Sequence, residues 1–152
     1  MAFRGQHDHS LDPKDRITVP AVYRAALADG VVLMKGVEKC VEVWPRAAAE
    51  AMESAWLSPL NPMGADTRKI FRLKFASSDE VDLDSAGRIR VNKKLIAHAG
   101  LGGPSVIAGL GDHLELWSAE AWAAENDEIE SQAEELTERL AAQPPAAGTG
   151  PA

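Results

Sequence analysis

Leu11-Asp-Pro-Lys-Asp-Arg-Ile-Thr-Val-Pro20 returns 72 residues later as Leu83-Asp-Ser-Ala-Gly-Arg-Ile-Arg-Val-Asn92, with Leu, Asp, Arg, Ile and Val in register. A second pair of stretches, Leu33-Met-Lys-Gly-Val-Glu-Lys-Cys-Val-Glu-Val-Trp44 and Val106-Ile-Ala-Gly-Leu-Gly-Asp-His-Leu-Glu-Leu-Trp117, aligns at an offset of 73 and shares Gly, Glu and Trp. Order, spacing and hydrophobic pattern are kept in both blocks. The chain is therefore an internal duplication of a unit of about 45 residues, with one residue inserted between the blocks.

Each unit reads as strand, tight turn, strand, helix, strand, turn, strand. Asp12-Pro13-Lys14-Asp15 has type I turn chemistry, with a left-handed residue expected at the fourth position. Gly87 occupies that position in the second unit without steric cost, whereas Asp15 takes it with some strain. After the turn, period-two alternation puts Ile17 and Val19, or Ile89 and Val91, inward, and Arg16 and Thr18, or Arg88 and Arg90, outward. Pro20 suits the first turn of a helix and Asn92 a helix cap. The helices that follow are expected to bury Tyr23, Ala26 and Leu27, or Leu95, His98 and Ala99, and to stop at Gly30 and Gly100. A second hairpin pairs Val31–Met34 with Cys40–Trp44, and Ser105–Ala108 with His113–Trp117. Val41 and Val43, or Leu114 and Leu116, form its apolar face.

The chain has 152 residues, which allows one domain or two very small ones. Its hydrophobic share of 45% contains 26 Ala, and only 8 residues are aromatic. Four short strands and a helix make a poor core, so the two copies, and then several chains, are expected to pack together. The net charge of −7 argues against binding a polyanion, but residues 119–152 carry all of it. The remainder is balanced, with bases gathered at Arg68, Lys69, Arg72 and Lys74 and at Arg88, Arg90, Lys93 and Lys94, so a polyanion site on it is possible. One cysteine, Cys40, allows no internal disulfide, the N-terminus has no apolar signal core, and no apolar run approaches ~20 residues; a cytoplasmic protein without a membrane segment is expected.

The expected organisation is a first repeat over 1–55, a connecting segment with a basic helix over 56–80, a second repeat over 81–124, an acidic helix over 125–142 and a disordered tail over 143–152. Ser58-Pro-Leu-Asn-Pro-Met-Gly64 is a break, and Asp66–Ala76 reads as a helix with Arg68, Lys69 and Arg72 outward. The acidic helix places Trp122, Ile129, Ala133, Leu136 and Leu140 on one stripe. It either repels unspecific DNA or is simply a solvated terminal helix.

Met1-Ala-Phe-Arg-Gly, Leu-Asp-x-x-x-Arg-Ile-x-Val in both copies, Tyr23-Arg24, Pro59-Leu-Asn-Pro62, His98-Ala-Gly-Leu101 and Leu114-Glu-Leu-Trp117 together resemble the MraZ family, bacterial transcriptional regulators with two AbrB-type repeats. The resemblance covers roughly residues 1–125. It implies an α+β, mainly β fold of tandem swapped-hairpin-type β-barrel repeats with helices and a pseudo-two-fold axis within the chain. It also implies a ring-shaped homo-oligomer that binds short repeated boxes in double-stranded DNA, represses its own promoter and a division and cell-wall gene cluster, and is associated with the nucleoid.

In that family the Asp-x-x-x-Arg segment carries DNA binding. The resemblance therefore implies DNA binding through Asp12 to Arg16 and through Asp84 to Arg88; with the outward alternation this makes Arg16, Lys14, Arg88 and Arg90 the candidate DNA-binding residues, supported by the turn residues Asp12, Asp15, Asp84 and Gly87. Arg can read the O6/N7 edge of guanine bidentately or grip a phosphate, and a β-element can enter the major groove. The bland alternative is an Asp12–Arg16 or Asp84–Arg88 ion pair that only closes each turn. Asp15 departs from the family's usual Gly, and its carboxylate is positioned to neutralise Arg16 or repel a phosphate.

Other candidates lead nowhere. His7-Asp8-His9 has no further ligand at useful spacing for a metal. Gly100-Leu-Gly-Gly103 and Gly109-Leu-Gly111 lack the lysine of a nucleotide-binding loop. Cys40 has no partner base, and Trp44 and Trp117 are packing residues. No catalytic residue, cofactor, metal or small-molecule substrate is expected, and the chain is not read as an enzyme. The alternative to a DNA-binding regulator is an oligomeric interaction or scaffold protein that does not bind DNA.

Overall fold

The computed structural model describes residues 1–145; residues 146–152, most of the expected tail, lie outside them. The first compact unit is Met1–Ala119 and the second begins at Glu120. In the first unit β1 (Gln6–His9) and β2 (Arg16–Thr18) precede α1 (Ala21–Arg24), which a 3-10 turn extends to Leu27, and then β3 (Val31–Lys35) and β4 (Val41–Pro45) follow. The second copy repeats this order with β5 (Asp79–Val81), β6 (Arg88–Arg90), α4 (Lys93–Ala99), β7 (Ser105–Gly109) and β8 (Leu114–Ser118). Between the copies lie α2 (Arg46–Met52), continued by a π-type turn to Leu57, and α3 (Ala65–Phe75). The second unit is made by α5 (Ala119–Ala141) from Glu120 on; this helix buries none of its residues and leaves Ile129 and Leu140 exposed.

The fold is α+β and mostly antiparallel, and its strands are exchanged between the copies. The main sheet runs β1-β7-β8-β4-β3-β5, while β2 pairs only with β6. The turns at 12–15 and 84–87 form as expected, but they do not close hairpins: β1 leaves its turn to pair with β7, and β5 pairs with β3. Repeat-equivalent residues face each other where the copies meet, Ile17 opposite Ile89 and Glu42 opposite Glu115. That register is a pseudo-two-fold axis passing through both strand pairs.

The ribbon lies over one face of the sheet. Ile17, Val19, Ile89 and Val91 join Tyr23, Leu27, Leu33, Val43, Leu95, Leu114 and Leu116 in a single core. The N-terminal segment is stitched to the other copy, where Phe3 and Gly111 exchange backbone hydrogen bonds, and to its own, where the Tyr23 hydroxyl donates to the Arg4 carbonyl. Two expected core positions differ. Ala26 is exposed and His98 half-buried, because the short α1 tightens into a 3-10 turn that keeps only Tyr23 and Leu27 inward, and His98 reaches the Gly36 and Glu38 carbonyls of the β3–β4 loop. The helix α2 carries little hydrophobic periodicity, since four of its seven residues are alanine (Ala47, Ala48, Ala49 and Ala51). It nevertheless forms a second core of Met34, Trp44, Ala49, Met52 and Leu57, flanked by Ile70 and Phe71 of α3.

This second layer covers the other face of β3 and β4, and the carboxylates of Glu42 and of Glu115, opposite it on β8, are both buried. Glu42 accepts from Trp44 Nε1 at 3.0 Å and from Lys74 Nζ of α3 at 2.8 Å. Glu115 accepts from Trp117 Nε1 at 3.0 Å, and its other oxygen lies 3.9 Å from His113 Nε2. His113 is stacked on Trp44 at 4.0 Å, and its Nδ1 sits 2.7 Å from Asp112. The two carboxylates forced together inside the sheet thus each have a basic side chain beside them, Lys74 at Glu42 and His113 at Glu115.

Removing one partner of a buried ion pair strands the other. Glu42→Leu or Lys74→Leu alone should each destabilise the fold by about 3 kcal/mol, and the double variant should regain most of that loss, as read from urea midpoints. His113 gives a pH signature. Burial alone would lower its pKa, but the Glu115 carboxylate 3.9 Å away, the hydrogen bond to Asp112 and the charges of Glu42 and Asp112 outweigh this and raise it above 6.5. The folded chain then holds a proton that the unfolded chain has released. The resulting stabilisation is complete below the unfolded value and is lost as pH rises through the folded one. Unfolding midpoints measured upward from about pH 6.5 should therefore fall more steeply for the wild type than for His113→Phe.

Candidate nucleic-acid interface

In the β2–β6 ribbon, Arg16 is the cross-strand partner of Arg90 and Thr18 that of Arg88, with Ile17 and Ile89 on the opposite face. Three of the four outward positions are therefore arginine. Like charges directly opposite each other destabilise a β pair, so setting Arg16 against Arg90 gains the strand pairing nothing. Arg90 and Lys14 are exposed and make no ion pair among the described residues, while Arg16 and Arg88 are half-buried.

The half-burial of Arg16 and Arg88 comes from their turns. One oxygen of Asp12 accepts from the backbone N–H groups of Lys14 (2.8 Å) and Arg16 (2.9 Å), and the other accepts from Arg16 Nε at 2.7 Å. Asp84 repeats the pattern with Ala86 and Arg88, both at 2.9 Å, and with Arg88 Nε at 2.8 Å. At Asp12, desolvation would raise the carboxyl pKa, but the Arg16 and Lys14 hydrogen bonds and the Arg16 charge overcome it and hold the pKa down. At Asp84, the Arg88 backbone hydrogen bond leads in the same direction. The ion pair and the presentation of arginine are thus one arrangement: each carboxylate takes Nε, and the two terminal nitrogens of each guanidinium make no hydrogen bond among the described residues. That leaves a planar fork suited to a phosphate or a guanine edge.

The other copy braces each turn, and the two braces differ. Asp15 is the one non-glycine residue with positive φ among those described, at 60°, and its carbonyl accepts from Val91 N at 2.9 Å. Its carboxylate does not engage Arg16; it pairs with Lys93 Nζ of α4 at 2.7 Å. At the second turn Gly87 has φ 76°, and its carbonyl accepts from Val19 N at 2.9 Å. A β-carbon at Gly87 would lie 2.5 Å from Nε of Arg24, which in turn donates to the Val19 carbonyl at 2.9 Å. Arg24 and Lys93 are not among the expected site residues, although both stand in basic or family-like stretches; the turn residues they meet, Gly87 and Asp15, are more than sixty residues away in sequence.

Around the ribbon six cations, Lys14, Arg16, Arg24, Arg88, Arg90 and Lys93, stand against three carboxylates, Asp12, Asp15 and Asp84, in a chain whose net charge is −7. Arg68, Lys69 and Arg72 are exposed on α3, outside this ribbon. His9 is used within the fold: its Nε2 accepts from Thr18 N at 3.0 Å, and His7 packs edge-on against Tyr23. Cys40 is buried at the start of β4, and burial together with Glu115 and Glu42 pushes its thiol pKa up, away from nucleophile chemistry. Trp44 and Trp117 are buried, as packing residues must be. Among the described residues one group of metal-capable side chains converges, Glu42, His113 and Glu115, with ligand atoms within 4.8 Å of one another; Lys74 and the Trp44 and Trp117 indoles already occupy its carboxylates. No helix among the described residues is long and apolar enough to cross a membrane.

The family model described as "MraZ protein, putative antitoxin-like" matches the chain twice, over residues 2–70 and 75–143. A protein of Roseiflexus castenholzii named transcriptional regulator MraZ is 35% identical over 140 residues, covering 91% of this chain and 96% of its own. Its namesake from Syntrophomonas wolfei is 36% identical over 138 residues with the same coverage. Another from Limosilactobacillus fermentum is 31% identical over 134 residues, covering 88% of this chain and 93% of its own. The two matches fall on the two exchanged copies that the strand pairing reveals, and the chain belongs to the MraZ family.

Proposed function

We propose that this chain is a sequence-specific transcriptional regulator that binds double-stranded DNA through the outward face of the β2–β6 ribbon. The observation that carries this reading is the register that sets Arg16 beside Arg90 and Arg88 beside Thr18, on a face where Arg90 makes no ion pair among the described residues and the turn carboxylates take only Nε of Arg16 and Arg88. Arg88 follows about 7 Å along the ribbon from the Arg16–Arg90 pair, which is two base-pair steps. A two-stranded ribbon of this width enters the major groove. Arg16, Arg88 and Arg90 are assigned to base edges or phosphates, Lys14 to a phosphate, and Asp12, Asp15, Asp84 and Gly87 to support of the turns.

The relatives' name supports a role in transcription. Repression of its own promoter and of a division and cell-wall gene cluster is the finer form of the proposal, with action in the cytoplasm at the nucleoid and no catalytic step. One ribbon is a small footprint, so tandem short boxes are bound by several copies acting together. Trp56, Met63 and Phe75, exposed at 58%, 82% and 41% on the α2–α3 side, supply an apolar surface for a neighbouring copy in a closed homo-oligomer. The repeats are taken to extend over 1–55 and 81–124, with 56–80 connecting them.

Fluorescence anisotropy on a duplex from upstream of the chain's own gene, against a shuffled duplex at two salt concentrations, tests the reading. The wild type should prefer the native duplex. Arg16→Ala should weaken that binding by about tenfold to a hundredfold and erase the preference, while Lys14→Ala should weaken both duplexes alike. Equal binding to both duplexes, or none, removes the regulator reading in favour of an interaction protein. Trp56→Asp with Phe75→Asp should lower the oligomer mass in light scattering. Truncation after Ala124 removes seven acids and one base and should raise binding to the shuffled duplex at low salt.

A further inference from the structure

The turn that departs from the family pattern carries its own correction. Position 24 in the first copy corresponds to 96 in the second, and position 21 to 93, so the Arg24 beside Gly87 is answered by Ile96, and Ala21 by the Lys93 that pairs with Asp15. Ile96 lines the same small cavity as Asp15 and Lys93. Where a guanidinium occupies the space under the turn, the fourth position has no room for a β-carbon. Where the apolar Ile96 stands instead, Asp15 fits, and its carboxylate collects Lys93 from one helical turn earlier. The three replacements are one coupled change.

Their charges come out equal. Lys14, Arg16 and Lys93 against Asp12 and Asp15 leave one positive charge at the first turn, and Arg24 and Arg88 against Asp84 leave one at the second. We infer that Lys93 is a positioning residue for DNA binding: it holds the Asp15 carboxylate off the guanidinium of Arg16 and the ammonium of Lys14, so that both turns meet a polyanion with the same charge. This rests on the DNA-binding reading given above. Without Lys93 the first turn is neutral, and an exposed carboxylate next to Arg16 faces the phosphates.

The test is a double-mutant cycle on the full chain, using anisotropy on the native upstream duplex at two salt concentrations. Lys93→Gln should weaken binding about tenfold and lower the salt slope by about 1. Lys93→Arg should bind like the wild type, and Asp15→Gly no more weakly than it. Asp15→Gly combined with Lys93→Gln should return to within about twofold of the wild type, because the carboxylate that needed a partner is gone. Thermal midpoints of the Lys93 variants should stay close to the wild type, as the Lys93 side chain is 84% exposed, and those with Asp15→Gly should not fall below it. If Lys93→Gln binds normally, or if Asp15→Gly fails to rescue it, the inference is overturned; the latter result makes Lys93 a DNA contact in its own right. If the wild type binds no duplex, the regulator reading itself falls and this inference with it, a result told apart by the silence of every variant.

Discussion

Strand pairing between equivalent residues of the two copies is the contact on which the molecule depends. Ile17 on Ile89 and Glu42 on Glu115 set the register of the ribbon and of the sheet's centre, and no strand of the ribbon has a partner within its own copy. One copy alone buries too little apolar surface to offset the entropy of ordering its backbone. Exchanging β1 and β5 joins the two halves into one core, with side chains from both copies interleaved around Tyr23, Leu33, Leu95 and Leu116.

A symmetry axis through a strand pair sets like against like, with opposite consequences inside and outside. Inside, it opposes two carboxylates, and the fold must bring Lys74 and His113 to them because an unpaired buried charge is costly. On the surface, it gathers Arg16, Arg90 and Arg88 on one face, where water moderates their repulsion and a polyanion can use it. The same constraint that demands compensation in the core concentrates positive potential on the ribbon of an acidic chain.

Because the two copies are covalently joined, each can drift from the other. Cys40 stands where the second copy has His113, Lys74 serves only the first carboxylate, and Asp15 stands where the second copy has Gly87. A left-handed Asp costs roughly 1 kcal/mol more than Gly, and Lys93 gives that residue an electrostatic role which Gly could not have. The divergence at the turns leaves their hydrogen bonds the same and alters only what lies beneath them.

The duplication, the turns at 12–15 and 84–87, the inward isoleucines and valines and the outward arginines were all legible in the sequence, because turn chemistry and period-two alternation act over a few residues. The helix α2 was not, since alanines show no amphipathic face even when a second layer buries them. Nor was the burial of Glu42 and Glu115, because alternation says which side a residue faces and not whether another layer covers that side. Arg24 beneath Gly87, Lys93 on Asp15 and the pairing of β1 with β7 join residues more than sixty positions apart. Sequence alone determined the local conformations and the signs of the charges; only the tertiary structure decided which charges meet, because the exchange of strands between copies brings each turn under the helix of the other.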